Sequence, residues 1–436
     1  MSSDTNLKHK IVIVGGGAAG LELATRLGKK LGKPRLAEVT LIDATSTHIW
    51  KPLLHEVAAG TLDESEQVEY LPQGHRNHFF FRLGKMEGLD RSKKEIVVSP
   101  TLSDTGDELI PRRTFSYDTL VMSVGSVSNT FGIKGVAEHC LFLDTTSQAF
   151  KFQKQLFESY LKSYIGKNPE TVKPLSIAIV GAGATGVELA AQLHEVTNVL
   201  AVYGLNEKST VKLTIIEAAT QLLPALPIKL AIATQQQLAS LGVVLKMGRR
   251  VVEVTKEGIS THDGEFIEAD LKVWAAGIKA PDWLKDLDGL ETNHINQLVV
   301  DSTLKTNDDN IFAMGDCAAC LWAGGRSNNV PPRAQAAHQQ ATAVGKSIIN
   351  RLKDRALVEF VYYDYGSLVS LGKYTTVGNL MGNLMGTVSI GGFIAKVVYM
   401  SLYKMHQVAI HGYFRTAMLT VSNAFRRSVY RKIKMH

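Results

Sequence analysis

Two glycine clusters, each followed by an acid, are the residues whose spacing first suggests chemistry. Gly15, Gly17 and Gly20 stand in the pattern G-x-G-x-x-G, and Asp43 ends an apolar run about 20 residues further on. In this spacing the first glycine takes a tight turn, the second lets the backbone approach a pyrophosphate, and the third lets a helix pack close to a strand. Gly16, Ala18 and Ala19 complete the loop, and the N–H groups and dipole of the helix that follows favour phosphate. Gly181, Gly183 and Gly186 repeat the pattern, and the run Val211–Glu217 again ends in a carboxylate. Two such fingerprints imply two dinucleotides. A carboxylate at Glu217 accepts from a ribose 2′-hydroxyl and repels a 2′-phosphate, so NADH is expected over NADPH.

The elements that must position these residues surround them. Residues 11–14 are four apolar β-formers running into the first cluster, a helical pattern follows, and residues 39–43 form a second strand. Residues 177–180 play the same part for the second cluster. Its acid comes later than usual, which points to an insertion near 196–209. Residues 117–126 and 271–277 read as buried strands running to Gly125 and to Ala276-Gly277, where a cofactor can lie against bare backbone. Residues 310–316 form a strand ending in Gly315-Asp316. Pro331-Pro332 then precede a helix starting near Ala334, whose positive end would face whatever lies beyond Asp316. The polar, proline-containing run 167–174 reads as a domain boundary. The expected division is a first dinucleotide domain over 1–170, a second over 171–299, a return to the first over 300–385, and a tail over 386–436.

Charge is distributed unevenly. Of 48 basic residues, nine lie beyond residue 364, where there is no Asp or Glu, so the first 364 residues carry a net charge of −2. A nucleic-acid partner is not expected, because the positive excess sits in the tail rather than in a working groove. Three cysteines, Cys140, Cys317 and Cys320, make no disulfide framework and fit a reducing compartment. Cys317-Ala-Ala-Cys320 has redox-dithiol spacing, but a metal would need further ligands and none is evident nearby. Polar residues lead straight into the first strand, so no signal peptide is expected, and no apolar run is long enough to span a bilayer. From Gly392 onward Lys404, His411, Arg415, Ser422 and Arg426 fall on one helical face, with mostly apolar residues around the rest. This predicts a helix lying in a membrane interface, broken near Gly412, held by apolar burial and anionic lipid. The same apolar surface is compatible with a homodimer.

Together these residues resemble the flavoproteins with two dinucleotide-binding domains. More narrowly, several runs are similar to the bacterial type II NADH:quinone oxidoreductases, the single-subunit respiratory enzymes that pump no protons. They are Trp50-Lys51-Pro52-Leu53-Leu54-His55-Glu56, the second fingerprint through Glu188, Trp274-Ala-Ala276-Gly277, Gly315-Asp316-Cys317 and Ala334-Gln335-x-Ala337-x-Gln339. The resemblance covers essentially the whole chain. It implies an α/β fold of two Rossmann-like, doubly wound domains with an amphipathic helical membrane-anchoring tail. It implies FAD on the first fingerprint and NADH as co-substrate on the second. Lys51, Gly125, Ala276, Gly277, Asp316, Ala334 and Gln335 are then expected at the cofactors, with Asp316 on the ribityl chain. Glu188 is expected to orient the nicotinamide, and Gln335 and Gln339 to line the entrance of a membrane quinone. The resemblance also implies a place on the cytoplasmic face of the bacterial cell membrane. It leaves open which quinone is used, the order of binding and the role of Lys373.

Two rival readings follow from the same residues. A soluble flavin reductase acting on a disulfide or ferredoxin would need an active Cys317/Cys320 pair and leaves the acid-free tail unexplained. A flavin redox sensor without turnover would bind FAD but oxidise no NADH with any quinone.

Overall fold

The structure of the chain, a computed structural model, describes residues 8–62, 66–164, 174–201, 211–224, 226–322, 329–371, 376–382 and 386–429. Lys373 and most of the expected insertion at 196–209 lie outside them. The first unit contains β1 (His9–Val14), α1 (Ala18–Leu27), β2 (Ala37–Asp43), α3 (Tyr70–Asn77), β3 (Phe80–Leu83) and β4 (Thr119–Met122), while α2 (Leu54–Ala58), between β2 and α3 in the chain, packs in the core of the second unit. The second contains α4 (Thr146–Tyr164), β5 (Leu175–Val180), α5 (Ala184–Ala201), β6 (Val211–Glu217), β7 (Val244–Met247) and β8 (Leu271–Trp274). The chain then returns through β9 (Ile311–Ala313) and α6 (Ala334–Arg351). It continues with an antiparallel sheet of β10 (Gly366–Ser370), β11 (Thr376–Gly382) and β12 (Gly386–Gly391), and ends with α7 (Gly392–His411) and α8 (Tyr413–Val429).

Two parallel sheets organise everything else. The first has the order β9-β4-β1-β2-β3 and the second β7-β6-β5-β8. Parallel strands covered on both faces need continuous apolar runs, and Ile11, Val12, Ile13 and Val14 are all buried. From β1 the chain builds outward through β2 and β3, then crosses back to lay β4 on the other side. From β5 it does the same, ending in β8. Each sheet therefore reverses direction beside its first strand, and the crevice for a ligand opens at that strand's carboxyl end, where each glycine loop lies.

The packing moves the expected domain limits. Phe152 and Leu156 share a core with Leu175 and Ile177, and Val136 and Cys140 share one with Val180 and Trp274. The run at 167–174 thus joins two elements of one core rather than two domains. At the far end Ala280, Leu284, Leu287 and Leu290 already belong to the core of the first sheet. The crossings lie near 127 and 279, where the outgoing and returning strands pair with each other, Val127 against Lys279 and Ser128 against Ile278. A polar loop with prolines looks like a linker in sequence, but only packing shows which core each flank joins.

The tail is also divided differently. The chain does break at Gly412, which has φ +81°. However, in the second half of α7, Tyr403, His406, Gln407 and Ile410 are buried against the body. Lys404 donates to Gln407 Oε1 at 2.7 Å, and His411 Nδ1 lies 3.0 Å from Gln73 Nε2. The helix α8 carries a ridge of large exposed apolar residues, with Phe414, Met418, Val421 and Phe425 at one-face spacing. Among the described residues no helix is long and apolar enough to cross a membrane.

Candidate active site

The two glycine loops are built alike. Gly15 and Gly181 have φ +98° and +107°, which an L side chain rarely adopts. A Cβ on Gly20 would overlap the carbonyl oxygen of Gly15, and one on Gly186 would overlap that of Gly181. By contrast, a Cβ on Gly17 or Gly183 would meet nothing within 4 Å, so both open towards the crevice. That is the shape a pyrophosphate needs: close packing beneath, bare backbone above. The acids at the ends of the second strands pin these loops. Gly16 N–H donates to Asp43 Oδ2 at 2.6 Å and Ala182 N–H to Glu217 Oε2 at 2.7 Å. The hydroxyl of Tyr70 donates to the Gly16 carbonyl at 2.8 Å, so Gly16 faces α3 and not the crevice.

Both loops open onto one cavity of about 610 Å³. It is lined by Gly17, Ala18, Ala19, Lys51, Gly125, Asp316 and Ala334 from the first unit, and by Gly183 and Glu188 from the second. A polar line crosses its floor. Lys51 Nζ donates to the Ser126 carbonyl at 2.8 Å, and Ser126 Oγ donates to Asp316 Oδ2 at 2.8 Å. The amino ends of α1, α5 and α6 all border the cavity, so three helix dipoles present their positive ends to it. Ala276 and Gly277 are not on its wall. A side chain at Gly277 would strike the Phe131 ring, and the Gly277 carbonyl accepts from Asn129, so this pair serves the crossing between units.

Gln335 and Gln339 line the cavity, but their amides are already engaged. Gln335 Nε2 donates to the Gly366 carbonyl at 2.9 Å, and its Oε1 accepts from Tyr365 N–H at 3.1 Å. Gln339 pairs in the same way with the backbone of Tyr363, at 2.9 and 3.0 Å. Four residues apart on α6, they hold the segment 363–366 against the helix. Both line the cavity, as expected, and their amides brace its wall.

Glu188, on the third residue pair of α5, is buried and accepts from Ser370 N–H at 3.0 Å. Burial pushes its pKa up to about 8, only partly offset by that hydrogen bond. His55 Nδ1 lies 3.6 Å away, and burial lowers that ring to about 4. Near neutral pH this is a protonated acid beside a neutral imidazole, not an ion pair. Cys317 and Cys320 are buried free thiols, and burial raises both to about 11, the opposite of what a reactive dithiol needs. Among the described residues no group of three or more His, Cys, Asp or Glu could hold a metal.

Several cavity residues escaped the sequence reading. Ser126 carries no pattern. His48 and His406 come from distant stretches, and Glu22 sits inside the apolar run of α1. An acid at a core position of an amphipathic helix was the available signal.

The profile of the pyridine nucleotide-disulphide oxidoreductase family matches residues 9–341. The chain is 43% identical to the type II NADH:quinone oxidoreductase of Haemophilus influenzae over 98% of its own length and 99% of the relative's. It is 31% identical to the enzyme of the same name from Staphylococcus aureus, covering 86% and 90% of the two chains. Among solved structures, NDH2 from Plasmodium falciparum in complex with NADH superposes with a TM-score of 0.80 at 19% identity, covering 98% of this chain and 100% of that one. The sulfide:quinone oxidoreductase of Aquifex aeolicus gives 0.70 at 18% identity, covering 93% and 92%.

Proposed function

Because the chain belongs to the pyridine nucleotide-disulphide oxidoreductase family and, within it, to the type II NADH:quinone oxidoreductases, we propose the following division of labour in its cavity. The reaction is the transfer of two electrons from NADH to a quinone through FAD. Bound FAD supplies the step between the two substrates, accepting hydride and passing electrons on. One observation carries the assignment of sites: two pinned glycine loops, each with bare backbone facing inward, open onto a single cavity.

The first loop and α1 hold the FAD pyrophosphate, Asp43 stands at its ribose, and the Lys51–Ser126–Asp316 line positions the far end of the flavin. The amino end of α6 faces the cavity where negative charge grows on reduction. The second loop and α5 hold NADH, and Glu217 selects the 2′-hydroxyl over a 2′-phosphate. Glu188, protonated and water-excluded, presents a neutral hydrogen-bonding group to the nicotinamide rather than a charge. The quinone enters between α6 and α7, along the wall that Gln335 and Gln339 hold in place and that Leu402 and Met405 make apolar. The buried cysteines give the disulfide-reductase rival nothing to work with.

The exposed ridge of α8, with the exposed Arg415 on the same helix, binds the anionic cytoplasmic leaflet as a peripheral foot, each cation near the surface adding about 1 kcal/mol. Removing residues 413–436 should release the protein from vesicles while leaving α7 docked. A second copy of the chain covering α8 would instead show as a change of mass in analytical ultracentrifugation.

The test is NADH oxidation with a short-chain quinone, with and without detergent, on the purified yellow protein. Protein that stayed colourless after incubation with FAD would refute this reading. In stopped flow, Gln335→Ala should slow reoxidation by quinone more than NADH-driven bleaching of the flavin. Equal losses would remove its wall from the quinone site.

A further inference from the structure

A line of hydrogen-bonded ionisable side chains runs beneath this cavity and has no part in the assignments above. Glu22 on α1 is 4% exposed. Its two oxygens are taken by two imidazoles: His338 Nδ1 of α6 at 2.6 Å and His406 Nδ1 of α7 at 2.7 Å. His406 Nε2 lies 3.0 Å from Nε2 of the buried His48. All four residues border the cavity. Trp50 stacks on the His406 ring, with centroids 6.2 Å apart, and shields it from water.

Counting donors shows what the line contains. His48 is fully buried, kept neutral by burial and by His406, and hydrogen-bonds through its ring to the Gly16 backbone. A neutral ring that donates to a carbonyl has only an acceptor left on its other nitrogen. His406 therefore faces two acceptors, His48 and Glu22, and only a ring bearing both N–H groups satisfies both. His338 also donates to Glu22. Burial works against an ionised Glu22, but the two imidazole hydrogen bonds outweigh it and hold its pKa below the usual value. The hydrogen bond to Glu22 in turn raises His338. The other charged or titratable groups facing the line are Arg26 on α1, which opposes His338, His411 on α7, and Tyr70 on α3 near His48. Two further acids border these elements: Glu66 accepts from the Tyr403 hydroxyl of α7 at 2.6 Å, and Asp43 faces Tyr70.

The overall reaction needs such a proton. NADH, quinone and one H⁺ give NAD⁺ and hydroquinone: the hydride carries two electrons and one proton, and the second proton must come from elsewhere. We propose that His338, Glu22, His406 and His48 form a buried store that holds one proton and delivers it to a quinone oxygen as the quinone is reduced. His338 is the element in contact with water, its side chain 30% exposed against 6% for His406, so it is where the store refills. Because His406 belongs to α7, the store is complete only while the tail helix is docked. This inference rests on the quinone-reducing assignment above.

The experiment uses the full-length, flavin-loaded protein and Glu22→Gln, which keeps the shape of the acid and removes its charge. Two acceptors are compared, a short-chain quinone that takes up protons and ferricyanide, which takes electrons alone. The expected result is quinone reduction slowed at least about tenfold, with an enlarged D2O effect, and ferricyanide reduction changed by less than about twofold, the more strongly driven step being the one least dependent on a proton donor. Side-chain ¹⁵N resonances of the histidines provide a readout without turnover: one ring protonated on both nitrogens at pH 7 in the wild type, and none in Glu22→Gln. Equal losses with both acceptors, or all the buried rings neutral at pH 7 in the wild type, would overturn the proposal. If Glu22→Gln fails to bind flavin, His406→Gln is read by the same pair of acceptors. Wild-type protein unable to reduce quinone at all would instead refute the assignment on which the store depends.

Discussion

Glu22 and Glu188 occupy the same place in the two units, two residues past the third glycine of each fingerprint, at the fifth residue of α1 and of α5. Both are buried to the same degree, at 4% and 5% exposure. Their states are opposite. Glu22 meets two imidazoles and stays ionised. Glu188 meets one backbone N–H and a neutral ring 3.6 Å away, and burial raises it to about 8. The same local sequence context thus yields a charge in one unit and a neutral acid in the other. Desolvation is common to both sites, and the partners decide which form survives it.

The sharpest way to break this comparison is to remove both acids in turn. Glu22→Leu strands two imidazoles around a missing charge, and should destabilise the protein by about 3–5 kcal/mol, the usual range for breaking a buried pair. Glu188→Leu at pH 7 replaces a neutral acid and should lose clearly less. Urea unfolding of the flavin-loaded proteins measures both, and equal losses would end the distinction.

Next come the glycine loops, whose similarity is steric. Gly20→Ala and Gly186→Ala each force a Cβ into a carbonyl, and overpacking of about 1–3 kcal/mol corresponds to roughly tenfold to hundredfold weaker binding. Gly20→Ala should lose FAD, seen as a colourless protein. Gly186→Ala should stay yellow and raise the KM for NADH. An Ala at Gly186 that expels flavin would show that the two loops are not independent.

Smaller still is the effect of pH on stability. Glu188 is raised in the folded state, so its contribution is fully present below about pH 4.5 and is lost as pH rises towards about 8. Glu22 is lowered, so its contribution is present above the ordinary carboxylate range and is lost as the pH falls through its folded pKa. Relative to wild type, Glu188→Gln should therefore gain thermal stability between pH 5 and 8, whereas the loss in Glu22→Gln should be largest above about pH 5. Melting temperatures across this range separate them. The smallest expected change is in cofactor choice. Glu217→Gln should lower the NADH over NADPH preference in kcat/KM by about tenfold, the scale of one charge repulsion at a binding site.

What the chain determined by itself was local. A glycine at φ +98° with a carbonyl packed under its neighbour's α-carbon is a requirement on a few consecutive atoms, so both cradles, their strands and their acids could be read from spacing. The acid-free tail and the break at Gly412 were legible for the same reason. What only the tertiary structure decided depends on groups far apart in sequence. Glu22 finds His338 and His406 316 and 384 residues away. The crossings lie at 127 and 279 rather than at a proline-containing loop, because a core is defined by which faces meet and not by where the chain looks flexible. Gln335 and Gln339 became braces because the segment 363–366 lies against them. The protonation of a buried acid is set by the whole shell around it, and that shell is assembled only when both sheets and the tail helix have packed.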